Sequence, residues 1–162
     1  MAGTLLLAAT GRGVCAVYAG AGARLLVRWL RREYPGARIR KDARGLARWV
    51  RALRQSLWSA SPDVPLDVRA TRFQRRVWRV LRQIPPGQTL TYAQVARKCG
   101  MPRAARAVAR ACAANPVAVL VPCHRVVRSD GSLGGYRWGR GRKRALLQYE
   151  ARRAGAATTR RA

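Results

Sequence analysis

The residues best suited by type to do chemistry are Cys123 and His124, the second being the only histidine in the chain. They stand in the run Val121-Pro122-Cys123-His124-Arg125-Val126-Val127. A thiol attacks as its thiolate, and an unassisted cysteine is ionised to only about a few per cent at neutral pH. An adjacent imidazole offers a proton acceptor, and Arg125 adds positive charge. Taken alone, such a pair more often joins a small buried residue to a surface one. In an extended strand the two side chains point to opposite faces, so a bend or a bridging water must link them if they act together.

The other thiols narrow the chemistry. The four cysteines, at 15, 99, 112 and 123, include no Cys-x-x-Cys pair, and a single histidine cannot complete a zinc-like ligand set. No metal and no cofactor is expected. Free thiols fit a reducing cytoplasm. The short apolar run Leu5 to Ala9 follows no basic stretch and does not read as a signal peptide.

Charge narrows the partner. The 162 residues carry 34 Lys plus Arg against 6 acids, a formal charge of +28, and only Lys41, Lys98 and Lys143 are lysines. GC-rich coding favours Arg over Lys, but a solvated surface normally mixes both signs. Such a chain repels itself without a polyanion nearby, which points to nucleic acid. An anionic membrane would call for a long apolar span or a basic amphipathic anchor, and neither is present.

The elements that must position the pair follow from periodicity. Residues 4–19 read as two strand-like pieces around Gly11-Arg12-Gly13. Leu25, Leu26, Trp29, Leu30 and Tyr34 repeat at helical spacing until Pro35-Gly36, and Leu46, Trp49, Val50, Leu53 and Leu57 mark a second helix. Residues 59–65 form a turn-rich linker, with a short strand at Leu66-Asp67-Val68. A third helix runs from Thr71, with Phe73, Val77, Leu81 and Ile84 inward, to Pro85-Pro86-Gly87. Thr91 and Gln94 match a capping box, Gly100 closes that fourth helix, and Arg103 to Ala114 forms the next, ending at Asn115-Pro116. Two short helices around a glycine turn have the form of a helix-turn-helix. Val117 to Val121 reads as a buried strand, Ser129-Asp130-Gly131 as a turn, and Arg142 to Arg153 as the last helix.

Several blocks in order carry a family resemblance: Pro122 to Val127, Arg106-Ala107-Val108, Ala113-Ala114-Asn115-Pro116 and Gly135-Tyr136-Arg137-Trp138-Gly139. Together they resemble the O6-alkylguanine-DNA alkyltransferases, near-continuously from about residue 64 to 150. The resemblance implies an α/β (α+β) chain. A small ribonuclease H-like α/β domain with its linker would cover 1–65, a mainly helical helix-turn-helix domain 66–155, and a disordered tail 156–162.

It further implies a cytoplasmic, nucleoid-associated suicide enzyme, monomeric, whose partner is double-stranded DNA containing O6-alkylguanine. The alkyl group, mainly methyl, moves irreversibly from the flipped base to Cys123. O4-alkylthymine is a further candidate substrate. His124 would take the thiol proton through a water, Glu150 would hold the imidazole, and Asn115 would order the turn. Tyr92 and Arg106 would displace the nucleotide, with Ala104, Ala105 and Ala107 permitting close approach and Arg103 and Arg110 adding contacts. Tyr136, Val126 and the region of Trp138 would line the base pocket, with the bulk of Trp138 narrowing it toward methyl.

The chain has no counterpart of the zinc-bearing domain found ahead of this region in some members, so transcriptional activation is not carried over. It begins about one strand late, so either the first sheet is smaller or the gene start is misplaced. Two other readings stay open: a helix-turn-helix regulator without chemistry, and a thiol hydrolase using Cys-His-Glu with turnover.

Overall fold

The computed structural model describes residues 3–57 and 64–159, with side chains as far as Ala154. The chain opens with an antiparallel hairpin of β1 (Thr4–Thr10) and β2 (Gly13–Gly20), with a bulge at Ala8/Ala9. β2 is buried almost throughout, which suits its Val-, Ala- and Tyr-containing run. Its second edge holds two distant segments. Val14 exchanges hydrogen bonds with Pro65 and Asp67 (2.9 and 3.0 Å), and Val17 with Pro116 and Ala118 (2.8 and 3.1 Å). The strand expected at Leu66-Asp67-Val68 reduces to one bridge, between Leu66 and Val14.

Gly13 makes the first of these contacts possible. Its φ is +152°, and a Cβ there would lie 2.3 Å from the Pro65 carbonyl oxygen. Gly13→Ala is therefore expected to lower unfolding free energy by about 2–4 kcal/mol, combining backbone strain with a clash against rigid main chain. Urea denaturation checks this; an unchanged midpoint would refute it.

Helices α1 (Ala23–Glu33) and α2 (Ala47–Gln55) bury Leu26, Leu30 and Leu53 and turn their arginines to solvent. Residues 58–63, which hold most of the expected linker, lie outside the described residues. α3 (Arg72–Arg82) starts at a reciprocal cap, Thr71 with Gln74, and buries Val77, Trp78 and Leu81. The Trp78 indole N–H donates to the Ala111 carbonyl at 2.9 Å, so ring and polar atom are both satisfied in the core.

β3 (Leu90–Thr91) leads into α4 (Tyr92–Lys98), capped by Thr91 and Gln94, and Gly100 at φ +68° turns the chain. α5 (Ala105–Ala113) starts two residues later than periodicity indicates, because Ala104 closes a turn onto Met101 first. β4 (Val126–Val127) pairs in parallel with β3, and α6 (Arg140–Thr159) completes the order. α6 runs past Gly155, where a disordered tail was expected to begin; residues 160–162 lie outside the described ones. The result is a mixed α/β chain with six α-helices and two two-stranded sheets among the described residues. No helix among these residues is long and apolar enough to cross a membrane.

Candidate active site

Val117–Val121, expected to be a strand, is a compact turn. It is buried as an apolar run should be, but Leu120 N–H donates to the Ala118 carbonyl at 2.8 Å across Val119, whose φ is +71°. A β-branched residue in that region is strained by roughly 1–3 kcal/mol. Val121 N–H reaches back to the Val117 carbonyl at 3.1 Å. Pro122 (φ −80°, ψ 61°) then makes an inverse γ-turn, with Cys123 N–H donating to the Val121 carbonyl at 2.8 Å. A single 3₁₀ turn, Cys123–Arg125, follows. Successive tight turns thus replace the extended strand in which Cys123 and His124 would have pointed to opposite faces.

Asn115 holds this path together. Its Nδ2 donates to the Val121 carbonyl at 2.8 Å and to Cys123 Sγ at 3.2 Å, while its Oδ1 accepts from Val117 N–H at 3.0 Å. The start, the end and the product of the turn are pinned by one buried amide.

Cys123 is only 4% exposed. Burial pushes its thiol above the ordinary range, opposed by the Asn115 hydrogen bond and the charge of Lys143. The resting group is a thiol, and a base must act. His124 is fully buried, and burial lowers its pKa despite the neighbouring Glu150, so the ring is neutral. Burial alone would raise the Glu150 carboxyl, but hydrogen bonds from His124 and Arg125 outweigh it and hold it at about 2. Glu150 is therefore ionised and accepts from His124 Nε2 at 2.8 Å. That fixes the tautomer: Nε2 carries the proton, and Nδ1, which has no partner among the described residues, is left as the basic nitrogen.

Around this core, Tyr136 lies edge-on to His124 with ring centroids 6.4 Å apart, its hydroxyl without a partner among the described residues. Val126 is buried beside the 3₁₀ turn. Gly134 (φ +64°) packs against Tyr92 so closely that a Cβ would sit 2.9 Å from the tyrosine oxygen. Trp138 is placed elsewhere: its ring packs on Tyr18 and Trp29 at 4.9 and 6.0 Å. That aromatic cluster draws its bulk toward β2 and α1, so the expectation of a pocket narrowed by this side chain is withdrawn. Arg103, Arg106 and Arg110 are exposed at α5, outside the buried cluster, with Ala104, Ala105 and Ala107 half-buried between them.

The sequence pattern described as "6-O-methylguanine DNA methyltransferase, DNA binding domain" matches residues 72–152. A crystal structure of the Mycobacterium tuberculosis O6-methylguanine methyltransferase superposes with TM-score 0.70 at 36% identity, over 92% of this chain and 87% of that one. The chain belongs to the 6-O-methylguanine DNA methyltransferase family. The M. tuberculosis OGT in complex with DNA is similarly alike (TM-score 0.67, 34% identity, 92% and 87% coverage). Escherichia coli Ada, a "bifunctional transcriptional activator/DNA repair enzyme", is 45% identical over 151 residues, 92% of this chain and 43% of Ada. The chain thus spans less than half of that relative.

In this 6-O-methylguanine methyltransferase family member, two buried basic residues take roles that sequence alone does not assign. Arg125, fully buried, pairs with Glu150 at 2.8 Å and donates to the carbonyls of Ile84 (2.6 Å) and Ser56 (3.1 Å), tying α2, α3 and α6 to the turn. Lys143, also fully buried, donates to the Val126 carbonyl and, at 3.5 Å, to that of Gly135. Lys143 is the unusual one, because charged side chains are almost never fully buried unless paired. That an Arg follows the Cys-His pair is the one available signal. Among the described residues, no group of His, Cys, Asp or Glu comes together as a metal site.

Proposed function

We propose that the chain repairs DNA by direct reversal, moving an alkyl group from O6-alkylguanine to Cys123 in a single irreversible turnover. The observation that carries this reading is the order of groups behind one sulfur. Asn115 holds Cys123 Sγ, and the neutral His124 is fixed by the ionised Glu150 with Nδ1 left basic. His124 takes the thiol proton through an intervening water. The sulfur attacks the alkyl carbon, an S–C bond forms, and the C–O bond breaks. Guanine leaves with the electron pair and regains a proton. Nucleophile, base and orienting carboxylate are the parts that thiol chemistry requires.

The rest of the reading concerns DNA. The pair α4–α5 acts as a helix-turn-helix on the minor groove, with Arg106 replacing the extruded base in the stack and Tyr92 crowding its phosphate. Arg103 and Arg110 contact phosphates, and Ala104, Ala105 and Ala107 allow the approach. Tyr136 and Val126 line the base pocket. The N-terminal hairpin and its helices form the ribonuclease H-like domain, and the protein acts as a monomer. The DNA complex of the M. tuberculosis neighbour supports DNA as partner. A regulator without chemistry has no use for a buried thiol with its own base.

The test is an intact-mass measurement after incubation with a duplex containing O6-methylguanine. The expected result is a gain of one methylene on Cys123, limited to one per protein and abolished by Cys123→Ala. No gain overturns the reading, and repeated turnover would point to the hydrolase.

A further inference from the structure

The positive charge of this chain is not confined to α4 and α5. Between residues 23 and 55 stand eleven Arg and Lys side chains, all exposed, with only two acids. Both acids are engaged locally. Glu33 accepts from Tyr18 and from Arg137, while Asp42 accepts from Gly45 N–H and faces Arg40 at 3.8 Å. Apart from Arg40, none of those cations forms an ion pair among the described residues.

Many of them line one feature. β1, α1 and α2 wall a groove of about 2330 Å³, lined by Arg31, Arg38, Arg40, Arg48, Arg51 and Arg54. Trp49 stands among them, with the Arg48 guanidinium 4.2 Å from its ring centre. Sites for small molecules occupy roughly 300–1,000 Å³ and carry few charges. A groove more than twice that size, lined by nine Arg and Lys side chains against Glu33, Asp42 and Asp67, matches a polymer of phosphates. Its position also separates it from the helix pair. The groove reaches Ala114 and Pro116, just past the C-terminal end of α5, whereas Arg106 sits in that helix's first turn. Nine residues at 1.5 Å rise put the two surfaces about 12 Å or more apart along α5.

We propose that this groove is a second surface for the phosphates of duplex DNA, so that one molecule holds two duplex segments at once. Occupation of both surfaces relieves the self-repulsion of a chain with charge +28. The first segment held also raises the effective concentration of the second. The protein can then pass from one segment to the next without leaving DNA. The proposal does not depend on alkyl transfer.

The test uses an undamaged duplex immobilised on beads and a fluorescent second duplex. Wild-type protein is expected to retain the second duplex, and the capture to fall steeply with salt. The variant Arg31→Gln/Arg48→Gln/Arg51→Gln/Arg54→Gln should capture about tenfold less or lower still. Its salt slope should be shallower by about three to four, because each phosphate no longer neutralised takes away about 0.9. Methyl transfer from a single duplex should be unchanged in that variant, which also shows that it folds. Full capture by the variant overturns the proposal, as does capture of single strands or phosphatidylglycerol vesicles in place of duplex. Should the variant fail to fold, bromodeoxyuridine crosslinking of the second duplex to wild-type protein decides. Crosslinks within residues 23–55 support the groove; crosslinks confined to residues 91–113 overturn it.

Discussion

Replacing Glu150 by glutamine is expected to slow alkyl transfer by at least about 100-fold and to cost about 3–5 kcal/mol of stability. Both effects start from one carboxylate. It accepts from His124 Nε2 and from Arg125 Nε and Nη2, all buried. Without its charge, the Arg125 guanidinium is stranded in the core and the imidazole loses the partner that fixes its tautomer. Arg125→Met separates the two roles. The double variant Glu150→Gln/Arg125→Met buries no unpaired charge and should regain much of the stability, whereas transfer should stay low. Recovery of transfer along with stability would reduce Glu150 to a structural group. The pH dependence follows with a definite sign. The folded carboxyl sits at about 2 against an ordinary 4.5. Its contribution, of order 3 kcal/mol, is therefore complete above about pH 4.5 and is lost as pH falls through about 2. His124 acts in the same direction: below about pH 6.5 the unfolded chain takes a proton that the buried ring resists. Denaturation of Glu150→Gln at about pH 3 and about pH 6 should show a smaller difference than in wild type.

Local pattern explains what is legible without the structure. The faces of α1, α2 and α3 follow from apolar residues at helical spacing, and the start of α4 from Thr91 and Gln94, because those interactions span three or four residues. Val117–Val121 shows where such reading stops. A continuous apolar run fits a buried strand and a buried turn equally well, and the decision rests on Asn115 and on the edge of β2, a hundred residues upstream. Arg125 and Lys143 are harder still. In sequence Lys143 is one of 34 basic residues, and Arg125 stands out only by following Cys123 and His124; packing against Glu150, Ile84, Ser56, Val126 and Gly135 gives the two their roles. The short β3–β4 pair, two residues on each side, leaves no alternation to detect. Trp138 has pocket residues beside it in the chain, but its ring follows its neighbours in space, Tyr18 and Trp29.

Lys143→Met is expected to raise the Cys123 pKa further and to slow transfer by about ten- to a hundredfold, with stability changing by less than about 2 kcal/mol. Three effects compete. Loss of the ammonium leaves the Val126 and Gly135 carbonyls without its hydrogen bonds, at about 1–3 kcal/mol each. Against that, the fold no longer has to keep a lysine in water-excluded surroundings, where burial lowers its pKa and no carboxylate among the described residues compensates it. These two nearly cancel. The third effect has no offset. At an effective dielectric of about 20, a unit charge within about 8 Å is worth about 2 kcal/mol or more to a thiolate. Burial already holds the Cys123 thiol up, and of the charges around it Lys143 does most to bring it down. The benefit runs both ways, since a thiolate at Cys123 helps Lys143 keep its proton. Thiolate absorbance against pH measures the shift directly. Lys143→Arg is the control, because it keeps a positive charge at the same position. An unmoved titration curve in Lys143→Met would leave the carbonyl ties as the residue's whole role, and transfer should then track stability alone.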